Sequence, residues 1–147
     1  MSPRPASSPV PTDPAALPFR VAETVRFNDL DSLGHANNNA FGVYFESGRV
    51  ALHRAVDTAV RAPGTQIVLA RIAIDYLAEL LYGQTVTVGI GFARLGTTSW
   101  TTWSALFADG RCAAVSEAVT VLIDDASRRP VPLPDALRAA CAPYLLT

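Results

Sequence analysis

A polar junction separates a strand-like segment from a helix-like segment and reads Phe27-Asn28-Asp29-Leu30-Asp31-Ser32-Leu33-Gly34-His35-Ala36-Asn37-Asn38. It holds two carboxylates, one of the two histidines of the chain and three amides. A helix start offers free backbone N–H groups and a partial positive charge to a carbonyl oxygen or an anion. The same residue types are also ordinary in turns and caps, so composition alone leaves a structural and a chemical role open.

The segments on either side of the junction differ in periodicity. Apolar and polar residues alternate from Phe19 to Phe27, which predicts a half-buried strand. Apolar residues then recur at steps of three and four from Asn38 to Val56, which predicts a long helix with one buried face. Gly48 lies on that face, where glycine is typical of a close approach to a neighbouring backbone.

The rest of the chain indicates strands at short intervals, with Asp109-Gly110 as a hairpin turn. The predicted elements are strands over 66–77, 86–92, 100–107 and 111–123, and a short helix over 135–142. Four successive strands with short connections predict an antiparallel meander. The long helix can bury its apolar face only by lying across this sheet. The expected fold is therefore α+β, a five-stranded antiparallel sheet around one long helix.

The domain organisation follows from composition. Residues 1–18 hold six of the eleven prolines, which predicts a disordered tail or loosely attached arm ahead of a single domain over 19–147. A chain of 147 residues with 50% hydrophobic residues can bury one sizeable core.

The totals also exclude several function classes. A net charge of -1 gives no electrostatic support for nucleic-acid binding. The chain has no lysine, which excludes a Schiff-base lysine and a P-loop lysine. Cys112 and Cys141 have no metal-ligand spacing and fit a reducing compartment. With no membrane-spanning run and no secretion signal, we expect a cytoplasmic protein without metal, cofactor or membrane partner.

The junction and the order of elements together resemble the hotdog-fold acyl-CoA thioesterases of the 4-hydroxybenzoyl-CoA thioesterase-like group. The resemblance covers residues 19–135 and depends chiefly on the pattern D-x-D-x-x-G-H-x-N-N. Weaker matches are Tyr44-Phe45-Glu46 with Arg49, Ile74-Asp75-Tyr76 and Pro130-Val131-Pro132. It implies a hotdog fold, an acyl-CoA substrate and a homo-oligomer, either dimer or tetramer, whose active sites are shared across a subunit interface.

The resemblance also implies roles for individual residues. Asp31 would be the catalytic carboxylate, acting as nucleophile or as general base. The backbone N–H of Asn38 would polarise the thioester oxygen, and Asn37 and His35 would line the same pocket. These roles match the chemistry, since thioester hydrolysis needs a nucleophile or base together with donors aimed at the developing oxyanion.

The remaining candidates have weaker arguments. Asp29 is expected to orient the loop through backbone amides, with direct substrate contact as the other role. His35 is either a donor to substrate or a buried histidine. Phe41 would suit an aromatic or a medium aliphatic acyl group. Glu46 either pairs with Arg49 on the helix or lines the site. The CoA phosphates could meet arginines, for which the candidates are Arg94, Arg128 and Arg129.

Three functions stay open on this basis. The first is an acyl-CoA thioesterase, the second a hotdog-fold hydratase or dehydratase of enoyl thioesters, and the third a non-catalytic acyl-CoA binding module. The helix covers one sheet face, while tryptophan, valine and isoleucine also occur on the other. This predicts association of copies through the uncovered face.

Overall fold

The computed structural model describes residues 9–56 and 61–147. Its strands are β1 (Phe19–Thr24), β2 (Thr65–Tyr76), β3 (Thr85–Leu95), β4 (Ser99–Ala108) and β5 (Arg111–Asp124), and its helices are α1 (Asn38–Ala55) and α2 (Asp135–Cys141). All five strands belong to one antiparallel sheet, and α1 packs on it. The predicted α+β fold is confirmed, including the helix start at Asn38.

The order of strands in the sheet is β1-β3-β4-β5-β2. The meander of β3, β4 and β5 is confirmed, but the predicted place of β2 beside β3 is wrong, because β2 pairs with β5. Short connections favour adjacent strands without enforcing them. The connection after β2 is packed, with Leu80 fully buried and its carbonyl accepting the Ala36 N–H at 2.8 Å. It carries the chain to the far side of the sheet, where β3 lies beside the edge strand β1 and Thr85 pairs with Thr24.

A β-bulge in β2 changes which side chains face α1. The register shifts between Leu69 and Arg71, which leaves one extra residue on β2. Ile67, before the bulge, and Ile74, after it, both pack against the core. The residues that face α1 therefore change from odd-numbered positions before the bulge to even-numbered positions after it.

The β1 end differs from its prediction. The strand stops at Thr24 instead of Phe27, and Phe27 begins a 3-10 turn with its side chain 77% exposed. The Asp29 carboxylate accepts the Arg26 N–H at 2.9 Å, which turns the chain away from the sheet.

The segment ahead of β1 also differs from the predicted tail. Residues 9–18 cross the sheet face opposite α1, where Val10 and Leu17 are 2% and 1% exposed against Phe107 and Val115. An apolar sheet face without a helix needs such a cover. The predicted disorder of residues 1–8 concerns residues outside the described range.

Within the described ranges, neither helix has the length and apolar character needed to cross a membrane.

Candidate active site

The polar junction forms one wall of a pocket of about 220 Å³. Its lining residues are Asp31, His35, Ala36, Asn38, Phe41, Tyr76, Ala78 and Glu79. The pocket therefore brings four predicted site residues together: Asp31, His35, Asn38 and Phe41. Asp29, Asn37 and Glu46 do not line it.

A tight turn holds Asp31. One carboxylate oxygen, Oδ1, accepts the N–H of Leu33 at 2.8 Å and that of His35 at 3.4 Å. The Asp31 N–H donates to the His35 carbonyl at 2.8 Å, and Gly34 supplies the positive φ of +82° that the turn requires. The other oxygen, Oδ2, receives no hydrogen bond from the described residues. Hydrogen bonds to Oδ1 thus hold the Asp31 side chain, while Oδ2 is left available to a ligand in the pocket.

The start of α1 supplies donors to the same pocket. Asn37 is the N-cap, and its Oδ1 accepts the Ala40 N–H at 2.9 Å. The N–H groups of Asn38 and Asn39 precede the first helical hydrogen bond and have no acceptor among the described residues. Free N–H groups at a helix start can stabilise a negatively charged oxygen.

Asp29 positions the junction from behind the pocket. Its carboxylate accepts the Tyr44 hydroxyl at 2.7 Å and the Arg26 guanidinium at 3.2 Å. Its carbonyl accepts the N–H and the side-chain amide of Asn37, at 2.8 and 2.9 Å. Burial alone would raise the pKa of Asp29, but the hydrogen bonds from Tyr44 and Arg26 hold it below its usual value. This arrangement matches the loop-orienting role, and it links the loop to the helix cap.

Two pocket residues had no role assigned from sequence. Glu79 lies 3.1 Å from the His35 ring, measured from Oε2 to Nε2. Tyr76 contacts Phe41 edge to face, with ring centroids 5.1 Å apart. Glu79 stands outside any motif, and only the path of the chain after β2 brings it here. Tyr76 belongs to the stretch Ile74-Asp75-Tyr76, whose match to the family could have identified it as a site residue.

Glu46 and Arg49 line a different pocket, further along α1. Within the described residues no ion pair joins them at 4.0 Å or less, so the predicted intrahelical pair is wrong. The reason is that the Arg49 side chain is buried while Glu46 is exposed.

The three arginines proposed for CoA lie at the other end of the sheet. Arg94 lines a pocket of about 160 Å³ near the end of β3, and Arg128 contacts Gln66 at 3.0 Å, near the start of β2. Arg129 adjoins Arg128. The start and the end of β2 are roughly 36 Å apart at about 3.3 Å per residue. A single chain therefore does not bring these arginines to Asp31.

Comparison with known proteins identifies the family of the chain. Residues 25–141 match the family model of the thioesterase-like superfamily. The chain belongs to this superfamily. The recognition of a thioesterase family from the polar junction is therefore confirmed, as is the fold that it implied.

Solved structures of this superfamily superpose closely on the chain. A predicted thioesterase from Bacillus stearothermophilus has a TM-score of 0.80 and 30% identity, covering 88% of this chain and 97% of its own. A thioesterase from Thermus thermophilus, complexed with coenzyme A and Zn, has a TM-score of 0.78 and 34% identity, covering 88% and 96%. In the described part of this chain, no group of three or more His, Cys, Asp or Glu side chains could hold a metal ion.

Matches with lower sequence identity give less information about this chain. A 1,4-dihydroxy-2-naphthoyl-CoA thioesterase from Synechocystis has a TM-score of 0.75 at 17% identity, covering 84% and 95%, which supports the fold alone. The curated protein YsmA of Bacillus subtilis (strain 168) is 27% identical over 78 residues. That match spans about half of each protein, 53% of this chain and 53% of the relative.

Proposed function

We propose that this protein is an acyl-CoA thioesterase, which hydrolyses a thioester to a free carboxylic acid and CoA. The observation that carries the proposal is one pocket lined by both the Asp31 carboxylate and the start of α1. The pocket supplies a nucleophile or base and oxyanion donors, which are the two groups that acyl transfer to water requires. Membership of the superfamily and the CoA complex of the Thermus relative support it.

In this mechanism the thioester oxygen accepts hydrogen bonds from the N–H groups of Asn38 and Asn39. The oxygen gains negative charge as the carbonyl carbon becomes tetrahedral, so donors held in place lower the barrier. Asn37 contributes by capping the helix, which fixes the direction of these donors. Asp29 contributes through Asn37 and therefore acts as a positioning residue.

Asp31 has two possible routes to the same products. As a nucleophile, its carboxylate bonds to the carbonyl carbon, the C–S bond breaks, and CoA thiolate leaves; water then cleaves the mixed anhydride. As a base, Asp31 takes a proton from water, the hydroxide attacks, and the proton passes to the departing thiolate. Rapid-quench mass spectrometry separates them, because the peptide containing Asp31 gains the acyl mass on the nucleophilic route alone.

We propose an aromatic or medium aliphatic acyl group, and the side chains that line the pocket support this choice. Phe41 and Tyr76 form an edge-to-face pair, and Ala36 and Ala78 leave space beside it. Glu79 holds Nε2 of His35 at 3.1 Å, so His35 would contact the substrate through its other ring nitrogen, Nδ1.

A homodimer would complete this site. β2 forms an edge of the sheet, so its outer backbone groups over Thr65–Tyr76 have no strand partner among the described residues. Leu69, Ile72 and Tyr76 are 49%, 37% and 40% exposed along it. Antiparallel pairing of β2 with a second copy would bring Arg128 and Arg129 of the partner subunit toward the Asp31 end, where CoA phosphates could meet them. We therefore propose that each site is shared by two subunits.

Association through the sheet face opposite α1 has less support. Residues 9–18 cover part of this face, and an ion pair of 2.7 Å between Arg71 and Glu117 crosses another part. A tetramer would need this second interface and stays a proposal, as does the cytoplasmic location.

The deciding experiment measures CoA release from a panel of aromatic and aliphatic acyl-CoAs. We expect Asp31→Asn to lower kcat by about a hundredfold or more while substrate still binds. Asp135→Asn, at the exposed start of α2, is the matched control and should keep full activity. A wild-type protein that binds acyl-CoA but releases no CoA would refute the thioesterase and indicate a binding module.

The second candidate is an enoyl-thioester hydratase or dehydratase. The observation in its favour is the His35–Glu79 pair, because hydration needs an acid and a base on one substrate. The hydratase would be favoured if the wild type adds water to enoyl-CoA and if His35→Gln and Glu79→Gln each lose this activity. CoA release that survives both variants would favour the thioesterase.

A further inference from the structure

A second pocket, of about 200 Å³, lies between α1 and β2. Its lining residues are Glu46, Arg49, Val50, His53, Ile67, Leu69 and Thr120. Arg49 is eleven residues beyond Asn38 on α1, which places it roughly 16 Å along the helix axis from the helix start. This pocket shares no lining residue with the one that contains Asp31.

Arg49 is buried in this pocket without an acidic partner in residues 9–56 and 61–147. The residue is 7% exposed, and its Nη1 atom has no hydrogen-bond partner in the described residues. Burial lowers the pKa of Arg49, and the opposing effect of Glu46 is smaller. A buried cation is unfavourable unless an acceptor or an anion pairs with it. The described chain does not supply that anion within ion-pair distance.

Further unpaired polar atoms occur on the facing strands. Among the described residues, the other buried side-chain atoms without a partner are Thr102 Oγ1 and Ser116 Oγ. Both residues share the α1-facing side of β4 and β5 with Thr120, which is 3% exposed and lines the pocket. Of these three residues Thr120 alone lines the pocket, where its hydroxyl could donate to or accept from an oxygen-rich group. This polar band lies between two apolar core clusters.

His53 adds no second charge. Its pKa falls to about 4, chiefly through burial and further through the charges of Arg49 and Arg61. Its Nε2 accepts the Trp100 indole N–H at 3.3 Å, as a neutral imidazole can. The charge available to a ligand is therefore that of Arg49, with Glu46 on the exposed side.

We propose that the pocket around Arg49 binds the carboxylate of an organic acid, with the apolar part of that acid against Val50, Ile67 and Leu69. A carboxylate matches the planar fork of a guanidinium and supplies the missing anion. Two molecules carry this group: a free carboxylic acid, and an acyl-CoA with a second carboxylate at its far end. The binding site itself does not depend on the proposed thioesterase activity, whereas its use by the far end of a substrate does.

The first test compares the binding of hexanoate with that of its neutral analogue hexanamide. Tryptophan fluorescence monitors the binding, since Trp100 contacts His53 in the pocket wall. We expect hexanoate to bind at least about tenfold more tightly. Arg49→Gln should remove this preference. Arg54→Gln, an exposed arginine on the same helix, and Trp103→Phe, with its indole bonded to Glu117, should keep it. Equal binding of the two probes, or full hexanoate binding by Arg49→Gln, would overturn the proposal.

A second variant excludes a purely structural role of Arg49. Arg49→Met replaces an unpaired buried charge by an apolar side chain, which should leave the urea midpoint unchanged or raise it. A lowered midpoint would show that Arg49 is paired within the fold, which would contradict the proposal.

A kinetic experiment tests the source of the carboxylate. It uses acyl-CoAs of increasing length that carry a free carboxylate at the far end of the acyl chain (dicarboxylic), and it compares kcat/KM for each with that of the acyl-CoA of the same length without this group (monocarboxylic). If Arg49→Gln lowers kcat/KM for the dicarboxylic members alone, the pocket binds the carboxylate at the far end of the substrate. If both series are unaffected while hexanoate binding is lost, the pocket binds a free acid. If the wild type hydrolyses no acyl-CoA, the thioesterase proposal fails, and the hexanoate experiment still decides the pocket.

Discussion

At the residue scale, the contact between Tyr44 and Asp29 joins the loop that carries Asp31 to the long helix. The Tyr44 hydroxyl donates to Asp29 at 2.7 Å in a buried setting. Burial, and then the Asp29 carboxylate, raise the pKa of Tyr44, so the hydroxyl keeps its proton and remains a donor. One side chain of α1 thus holds the loop that presents Asp31.

Removing this hydroxyl should affect both stability and turnover. Tyr44→Phe deprives the Asp29 carboxylate of a donor, and we expect a loss of about 1.5–3 kcal/mol in the free energy of unfolding. Turnover should fall as well, because Asp29 positions Asn37. Urea unfolding and CoA release measure the two effects. Tyr82→Phe is the control, since Tyr82 is 65% exposed. A Tyr44→Phe variant as stable as the control would contradict this role.

His53 should make stability depend on pH. Its folded-state pKa of about 4 lies below the ordinary value near 6.5. A depressed pKa means that the unfolded chain binds the proton first, so the stabilisation is complete above about pH 6.5 and is lost progressively as the pH falls to about 4. The loss should reach on the order of 3 kcal/mol. Urea unfolding from pH 7 to pH 4 should show this fall in the wild type and in His35→Gln but not in His53→Gln; the same fall in all three proteins would refute the assignment.

At the element scale, α1 can lie close to the sheet because Gly48 has no side chain. A Cβ atom there would come within 2.6 Å of Val88 Cγ1 on β3. The predicted close approach exists, although its partner is a side chain and not backbone. Valine is stiff about its first side-chain torsion, so this contact is difficult to relieve.

Alanine at position 48 should therefore destabilise the protein. We expect Gly48→Ala to lower the free energy of unfolding by about 1–3 kcal/mol through overpacking, although alanine favours helices. Gly42→Ala is the matched control on the same helix, with no atom within 4 Å of the added Cβ, and should stabilise by about 0.5–1 kcal/mol. Combining Gly48→Ala with Val88→Ala should recover part of the loss. A stabilising Gly48→Ala variant would show that α1 can shift.

At the scale of the whole molecule, the described chain separates the Asp31 pocket from the candidate CoA arginines by the length of β2. A second copy paired along β2 would close this separation. Ile72 is 37% exposed on that edge, on the same side as the pocket. The proposed dimer is therefore a condition for a complete site as well as a way to cover an edge strand.

A charge on this edge should test the dimer. We expect Ile72→Arg to yield a folded monomer with lower turnover, because a charge at an edge opposes strand pairing. Light scattering gives the mass, and circular dichroism checks the fold. Tyr82→Arg, at a more exposed apolar side chain away from β2, should leave the mass unchanged. A wild type that is monomeric at micromolar concentration would refute the dimer.

The sequence alone determined the features that depend on local chemistry. The period of apolar residues located α1, and the turn residues located the β4–β5 hairpin, because both reflect contacts between near neighbours in the chain. The pattern from Asp29 to Asn38 indicated the family, which the match over residues 25–141 confirms. The helix start at Asn38 was predicted from the period of apolar residues and is confirmed.

Only the tertiary structure decided which distant residues meet. The placement of β2 beside β5, the bulge that changes its face, and Glu79 beside His35 depend on how the chain crosses the sheet, which local propensity does not encode. Spacing suggested that Arg49 pairs with Glu46. Its burial without a partner became visible only once α1 lay on the sheet, because burial is a property of the packed molecule and not of the helix alone.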